Sequence, residues 1–117
     1  MTKEVVILLI SFAIAGCATV SDFKAKGPQE VFTSSKDAAT LSQCVLLGWQ
    51  NNNSGLFWYG QSYIQPLNDG YSVYSDGSVE IADFKPKNGV TEISYYYHTS
   101  AFQRRIDARK NAVKDCL

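Results

Sequence analysis

The chain has 117 residues, and its 11 Lys plus Arg are balanced by 11 Asp plus Glu; that length implies one domain. A hydrophobic share of 45% with 13% aromatic residues excludes a disordered chain. The charge balance supplies no electrostatic pull toward nucleic acid.

Met1-Thr2-Lys3-Glu4 is a short polar start, and 5–15 is an almost unbroken apolar run. Eleven helical residues span only about 16 Å, roughly half a bilayer core, so a cleaved signal is expected and a permanent membrane span is not. The run ends in Ile14-Ala15-Gly16-Cys17. This resembles the lipobox of bacterial lipoproteins, an aliphatic residue and two small ones ahead of a cysteine. The chemistry needs that order: a membrane-embedded peptidase must admit small side chains at the scissile bond, and only a thiol receives the diacylglyceryl group. The resemblance implies that 1–16 is a signal peptide, and that Cys17 is lipidated on sulfur and acylated on its new amino group. A secretory signal with an incidental cysteine is the alternative. Two or three acyl chains hold a protein far more firmly than one. Ala18, where an aspartate would imply inner-membrane retention, points by the same resemblance to the outer membrane.

Residues 17–33 read as the lipidated terminus and a tether, with Lys24, Lys26, Gly27 and Pro28. Sixteen residues could reach about 50 Å if extended. Phe23, Val31 and Phe32 are apolar enough for part of this stretch to lie on the domain, and Val31-Phe32-Thr33 can form a short edge strand.

The compact domain is expected over 34–117. Ser34 or Ser35 can cap a helix, and Ser34 with Asp37 has capping-box spacing. Ala38, Leu41, Val45, Gly48 and Trp49 form one apolar helical face with Cys44 at its edge. Asn51-Asn52-Asn53-Ser54-Gly55 stops the helix. The middle of the chain reads as strands over 56–67, 71–74 and 78–84. A two-residue turn at Asp76-Gly77 would pair Tyr74 with Val79. A three-residue loop with a left-handed Gly77 pairs Tyr71 with Ile81 and Val73 with Val79. The second register matches apolar residues and is the one predicted. Lys87-Asn88-Gly89 turns into a last strand, 90–98, with Thr91, Ile93, Tyr95 and Tyr97 on one face. Thr99 or Ser100 caps a final helix, whose Phe102, Ile106, Arg109, Val113 and Cys116 fall at helical offsets.

This order predicts an α+β fold: helix, four-stranded antiparallel meander, helix, with both helices on one sheet face and antiparallel to each other. Each helix presents one cysteine beside its apolar face. With Cys17 lipidated and the envelope oxidising, Cys44 and Cys116 are expected to form a disulfide; two separate buried thiols are the alternative.

Little here points to chemistry. Arg109 interrupts an apolar stripe and either snorkels to water or pairs with Asp83 or Asp37. His98 is the single histidine, and no carboxylates are spaced to complete a metal site with it. No strand-turn-helix elbow surrounds a serine. Phe57, Trp58, Tyr59 and Tyr96 are the aromatic candidates for an interaction surface; covering a thin core is their other role. Arg104, Arg105, Lys110 and Lys114, interspersed with Asp107 and Asp115, read as a solvated helix face.

The lipobox, the Gly27-Pro28 tether, a first helix carrying a cysteine, Gly70-Tyr71-Ser72-Val73, a tyrosine-rich strand and a terminal cysteine together resemble small uncharacterised bacterial and prophage lipoproteins. The resemblance implies an address in the envelope and little more. The expectation is a non-enzymatic, lipid-anchored protein without cofactor, metal or nucleic acid, which binds another envelope component, protein or glycan. The alternative is a prophage or accessory lipoprotein that alters phage sensitivity or envelope integrity.

Overall fold

The computed structural model describes residues 19–52 and 59–117. The expected signal peptide, Cys17 and Ala18, and the 53–58 segment with Phe57 and Trp58, lie outside the described residues. In chain order the elements are α1 (Thr19–Ala25), β1 (Glu30–Ser34), α2 (Ala38–Asn51), β2 (Ser62–Leu67), β3 (Gly70–Ser75), a 3-10 turn (Asp76–Ser78), β4 (Glu80–Lys87), β5 (Val90–Tyr97) and α3 (Gln103–Cys116).

The sheet has five antiparallel strands in the order β1-β5-β4-β3-β2, where the sequence predicts four. The fifth is β1, paired with β5 from Glu30↔Tyr95 to Ser34↔Thr91. Part of the stretch read as a tether folds onto the domain as α1, and the edge strand expected at Val31-Phe32-Thr33 is present, one residue longer at its start and end, as β1. Its pattern is weak because an edge strand buries few side chains: Val31 is 51% exposed and Phe32 only partly buried.

One face of the sheet carries the rows Ile64↔Val73↔Ala82↔Tyr95 and Pro66↔Tyr71↔Phe84↔Ile93↔Phe32. Leu41, Val45 and Trp49 of α2, with Ile106, Val113 and Cys116 of α3, close over this face in one apolar cluster. α2 lies over β2, β3 and β4, while Tyr95 Oη donates to Ile106 O at 3.1 Å and Lys110 pairs with Glu30 at 3.4 Å, which sets α3 over β5 and β1.

The two helices run antiparallel, as an up-and-down meander between them requires. Cys44 is disulfide-bonded to Cys116 with their Cα atoms 5.9 Å apart, Gly48 faces Ala112, and Asn52 Nδ2 donates to Ala108 O at 2.8 Å. Each step of four along α2 meets a step of four back along α3. A Cβ on Gly48 would stand 3.1 Å from the Ala112 Cβ, so the smallest side chains let the helices approach at mid-contact.

Three local expectations change. The N-cap of α2 is Asp37, whose side chain accepts from Thr40 N at 3.4 Å, while Ser34 ends β1 and its Oγ accepts from Lys36 N. Phe102 precedes α3 as its cap without a side-chain cap bond, and is 84% exposed instead of belonging to the buried stripe. The β3–β4 register is Tyr71↔Phe84, Val73↔Ala82 and Tyr74↔Ile81, neither of the two weighed. Gly77 is left-handed as expected (φ 70°), but Asp76–Ser78 and a helical Val79 make the loop longer.

The register error has a physical cause. β4 is buried on both faces from Glu80 to Phe84, so polarity alternation cannot show which parity faces the helices. Matching Val79 and Ile81 to the core selects the wrong one. Ile81 and Asp83 lie on the outer face, where α1 covers part of the sheet: the Phe23 ring stacks on His98 at 4.3 Å and lies 6.3 Å from Tyr96, and Lys24 Nζ is 2.9 Å from Asp83 Oδ2.

Candidate functional site

The densest polar cluster lies where the two long helices meet the Ser75–Glu80 loop. Glu80, fully buried, projects from β4 toward the helices. Its backbone N–H donates to Ser75 Oγ at 3.1 Å, and that hydroxyl donates to Glu80 Oε1 at 2.7 Å. Arg105 grips the carboxylate with two donors, Nε to Oε2 and Nη2 to Oε1. Arg109 Nε reaches Oε1 at 3.3 Å.

Arg109 is neither snorkelling nor paired with Asp83 or Asp37. Its side chain has no exposed surface, and Asp83 is on the opposite face of the sheet. Nη1 donates to Trp49 O and to Asn52 Oδ1, and Nη2 donates to Tyr59 O at 3.2 Å. The guanidinium lies 5.2 Å from the Trp49 ring and 5.5 Å from that of Tyr59, and Trp49 Nε1 donates back to Arg109 O. Burial pushes the Arg109 pKa below its ordinary value and the Glu80 charge opposes that shift. A buried charge is tolerated when paired and hydrogen-bonded in this way. The cluster staples the end of α2, the start of α3 and the β3–β4 loop; Glu80 and Arg109 are fully buried in it, while Arg105 keeps some exposure at its edge.

The outer sheet face is open beside α1. Its rows run Tyr63↔Tyr74↔Ile81↔Tyr96 and Gln65↔Ser72↔Asp83↔Ser94↔Val31. Lys24, Gln65, Leu67, Ser72, Tyr74, Ser78 and Ile81 line a groove of about 290 Å³. Tyr63, 41% exposed, tilts against Tyr74 with ring centroids 5.5 Å apart and extends the aromatic surface past the groove. Asp83 is buried beneath Lys24, and its Oδ1 has no hydrogen-bond partner among the described residues.

Of the aromatic residues singled out from the sequence, the described ones are used inside the molecule. Tyr59 is half-buried, its ring facing Arg105 at 5.7 Å and Arg109 at 5.5 Å. Tyr96 is half-buried beside Phe23. The exposed tyrosine of the outer face is Tyr63. The alternation Tyr63-Ile64-Gln65, with Ile64 packed against the core, is the signal that locates it. His98 bonds through its backbone to Val79 O and Ala101 N, while its ring is stacked on Phe23. Among the described residues no three His, Cys, Asp or Glu side chains group to hold a metal ion. No helix among them is long and apolar enough to cross a membrane.

These features define a disulfide-linked α+β sandwich with a braced inner ionic cluster and an aromatic outer face. Comparison with protein families, with curated proteins and with solved structures found no match.

Proposed function

We propose that this chain is a lipid-anchored protein of the bacterial envelope whose outer sheet face, beside α1, binds another envelope component without catalysing a reaction. The anchor reading rests on Ile14-Ala15-Gly16-Cys17 at the end of an apolar run. It is supported by the Cys44–Cys116 bond, because such bonds persist in oxidising compartments and not in the cytosol of most bacteria. Ala18 favours the outer membrane.

The binding reading rests on the groove between Lys24, Gln65, Ser72 and Tyr74, with Tyr63 and Tyr74 at its margin. Tyrosine offers an apolar ring and a polar hydroxyl in one rigid side chain, which suits a glycan or a protein surface. A photo-crosslinking amino acid at position 65, placed in the full-length chain in cells, tests this reading. A discrete adduct that is lost with Tyr63→Ala and Tyr74→Ala supports it; no adduct at position 65 counts against it. Cys17→Ser tests the anchor: an unprocessed precursor is expected, and a product still cleaved and still detergent-partitioning would overturn lipidation.

A further inference from the structure

We propose that the end of the sandwich bearing Phe102 rests on the bilayer, with the Phe102 ring seated at the boundary between headgroups and acyl chains. This rests on the lipidation of Cys17. The first argument is reach. Cys17 lies two residues before α1, and Phe23 lies four helical steps inside it. Two extended residues and four steps of about 1.5 Å hold the Cys17 and Phe23 Cα atoms within about 13 Å of each other. Phe23 is fixed against His98 at 4.3 Å, one residue past the end of β5. An eight-residue strand is about 26 Å long, so the hairpin tips at Asn68-Asp69 and Asn88-Gly89, at the other end of the sheet, are out of the anchor's reach.

The second argument is exposure at the reachable end. Phe102 is 84% exposed, against 58% for Leu47 and 51% for Val31. A single exposed apolar residue needs no explanation by itself; its position distinguishes this one. Phe102 lies four residues beyond His98, joined through the Ala101 N–H bond to His98 O. With Tyr59, Arg104 and Arg105 it lines a depression of about 330 Å³. An aromatic ring flanked by arginine suits a membrane interface, the ring entering the boundary and the guanidinium staying at phosphate level. Arg105 is paired with Glu80 and Asp107 on the same helix offsets Arg104, so net charge contributes little. The seat is set by the ring and by the short leash. Neutral and anionic bilayers should therefore hold the domain alike.

The test expresses the full-length gene in bacteria and places the protein recovered from their membranes in phosphatidylethanolamine vesicles, with and without phosphatidylglycerol, whose acyl chains are brominated. Trp58→Phe leaves Trp49, fully enclosed, as the native tryptophan. Reporters are then Phe102→Trp at the proposed seat, Val90→Trp at the far end and Val31→Trp on the outer face. The expected result is loss of about half the reporter emission at position 102, as for a ring at the acyl boundary, with positions 90 and 31 unquenched in both lipid mixtures. Protein that floats with the vesicles but shows no quenching at 102, or equal quenching at 90 or 31, overturns the seating alone. Protein that does not float overturns the anchor reading, and this inference with it.

Discussion

At Glu80 and Arg109 the chain commits charge to its interior, and the energetics follow from how each is surrounded. Glu80 meets Arg105, Arg109 and Ser75, and Arg109 fills its remaining bonds from Trp49, Asn52 and Tyr59. Removing Glu80 leaves two guanidinium groups without their carboxylate, and removing Arg109 leaves buried acceptors at Trp49, Asn52 and Tyr59 without their donor. Glu80→Gln is expected to cost about 3–5 kcal/mol, and Arg109→Met a similar amount. The double variant should be less destabilised than the sum by at least about 1 kcal/mol. Urea denaturation of the four proteins measures this, and zero coupling would disprove the pairing. Tyr95 behaves differently. Burial, and then the Glu80 charge, raise its pKa far above the ordinary phenol value, and its hydroxyl donates to Ile106 O. A raised folded pKa contributes stability that is fully present below the unfolded value of about 10 and is lost as pH rises above it. Stability should therefore fall from about pH 10 upward, and Tyr95→Phe should flatten that limb while lowering stability at neutral pH. Equal slopes for the two proteins would count against this account.

Among the elements, the contacts that fix spacing are made by the smallest residues. A Cβ at Gly70 would stand 1.9 Å from the Phe84 carbonyl oxygen, and backbone cannot yield as a flexible side chain can. Gly70→Ala should disrupt the start of β3 and speed amide exchange along 70–73 and 82–85, with α3 protection little changed. Uniform protection would show that the strands adjust. Gly48→Val, pressed against Ala112, should cost about 1–3 kcal/mol by overpacking. Replacing both Cys44 and Cys116 by Ser should cost about 2–4 kcal/mol; thermal melts check both substitutions. Periodicity makes the helices legible: Leu41, Val45 and Trp49, and Ile106, Arg109, Val113 and Cys116, are buried as their spacing predicts, with Ser42 the one buried position off the apolar stripe. Asn88 and Gly89, with φ of 54° and 83°, form the two-residue turn that Asn-Gly favours. The hidden parts have one origin each. β1 reads only as a short edge at 31–33 because it has little to bury, and β4 is covered on both faces so its parity carries no signal. The same parity error hides Arg109's partner, since it puts Asp83 on the helix side in place of Glu80. The outer-face groove depends on α1, whose docking residues Phe23 and Lys24 sit in a stretch with the composition of a linker.

At the scale of the whole molecule, α1 makes the outer face two-part, one region covered and one open. Phe23 on His98 and Tyr96 and Lys24 on Asp83 hold it, and the ion pair has one partner 32% exposed, so the clasp is weaker than the inner cluster. Phe23→Ala with Lys24→Ala should leave the melting temperature within a few degrees, yet strongly increase amide exchange over 19–25. Unchanged exchange there would show that α1 is held by other means.

The strand order also sets a timetable. From β2 to β5 each strand pairs with its immediate successor, whereas β1 must wait for a partner about sixty residues downstream. In the export that the proposed anchor requires, with the chain threaded through a translocation pore amino end first, the first strand to emerge is thus the last strand to be paired. Throughout that interval its backbone donors and acceptors are unclaimed, and a periplasmic chaperone that recognises extended peptide would meet β1 before any other strand.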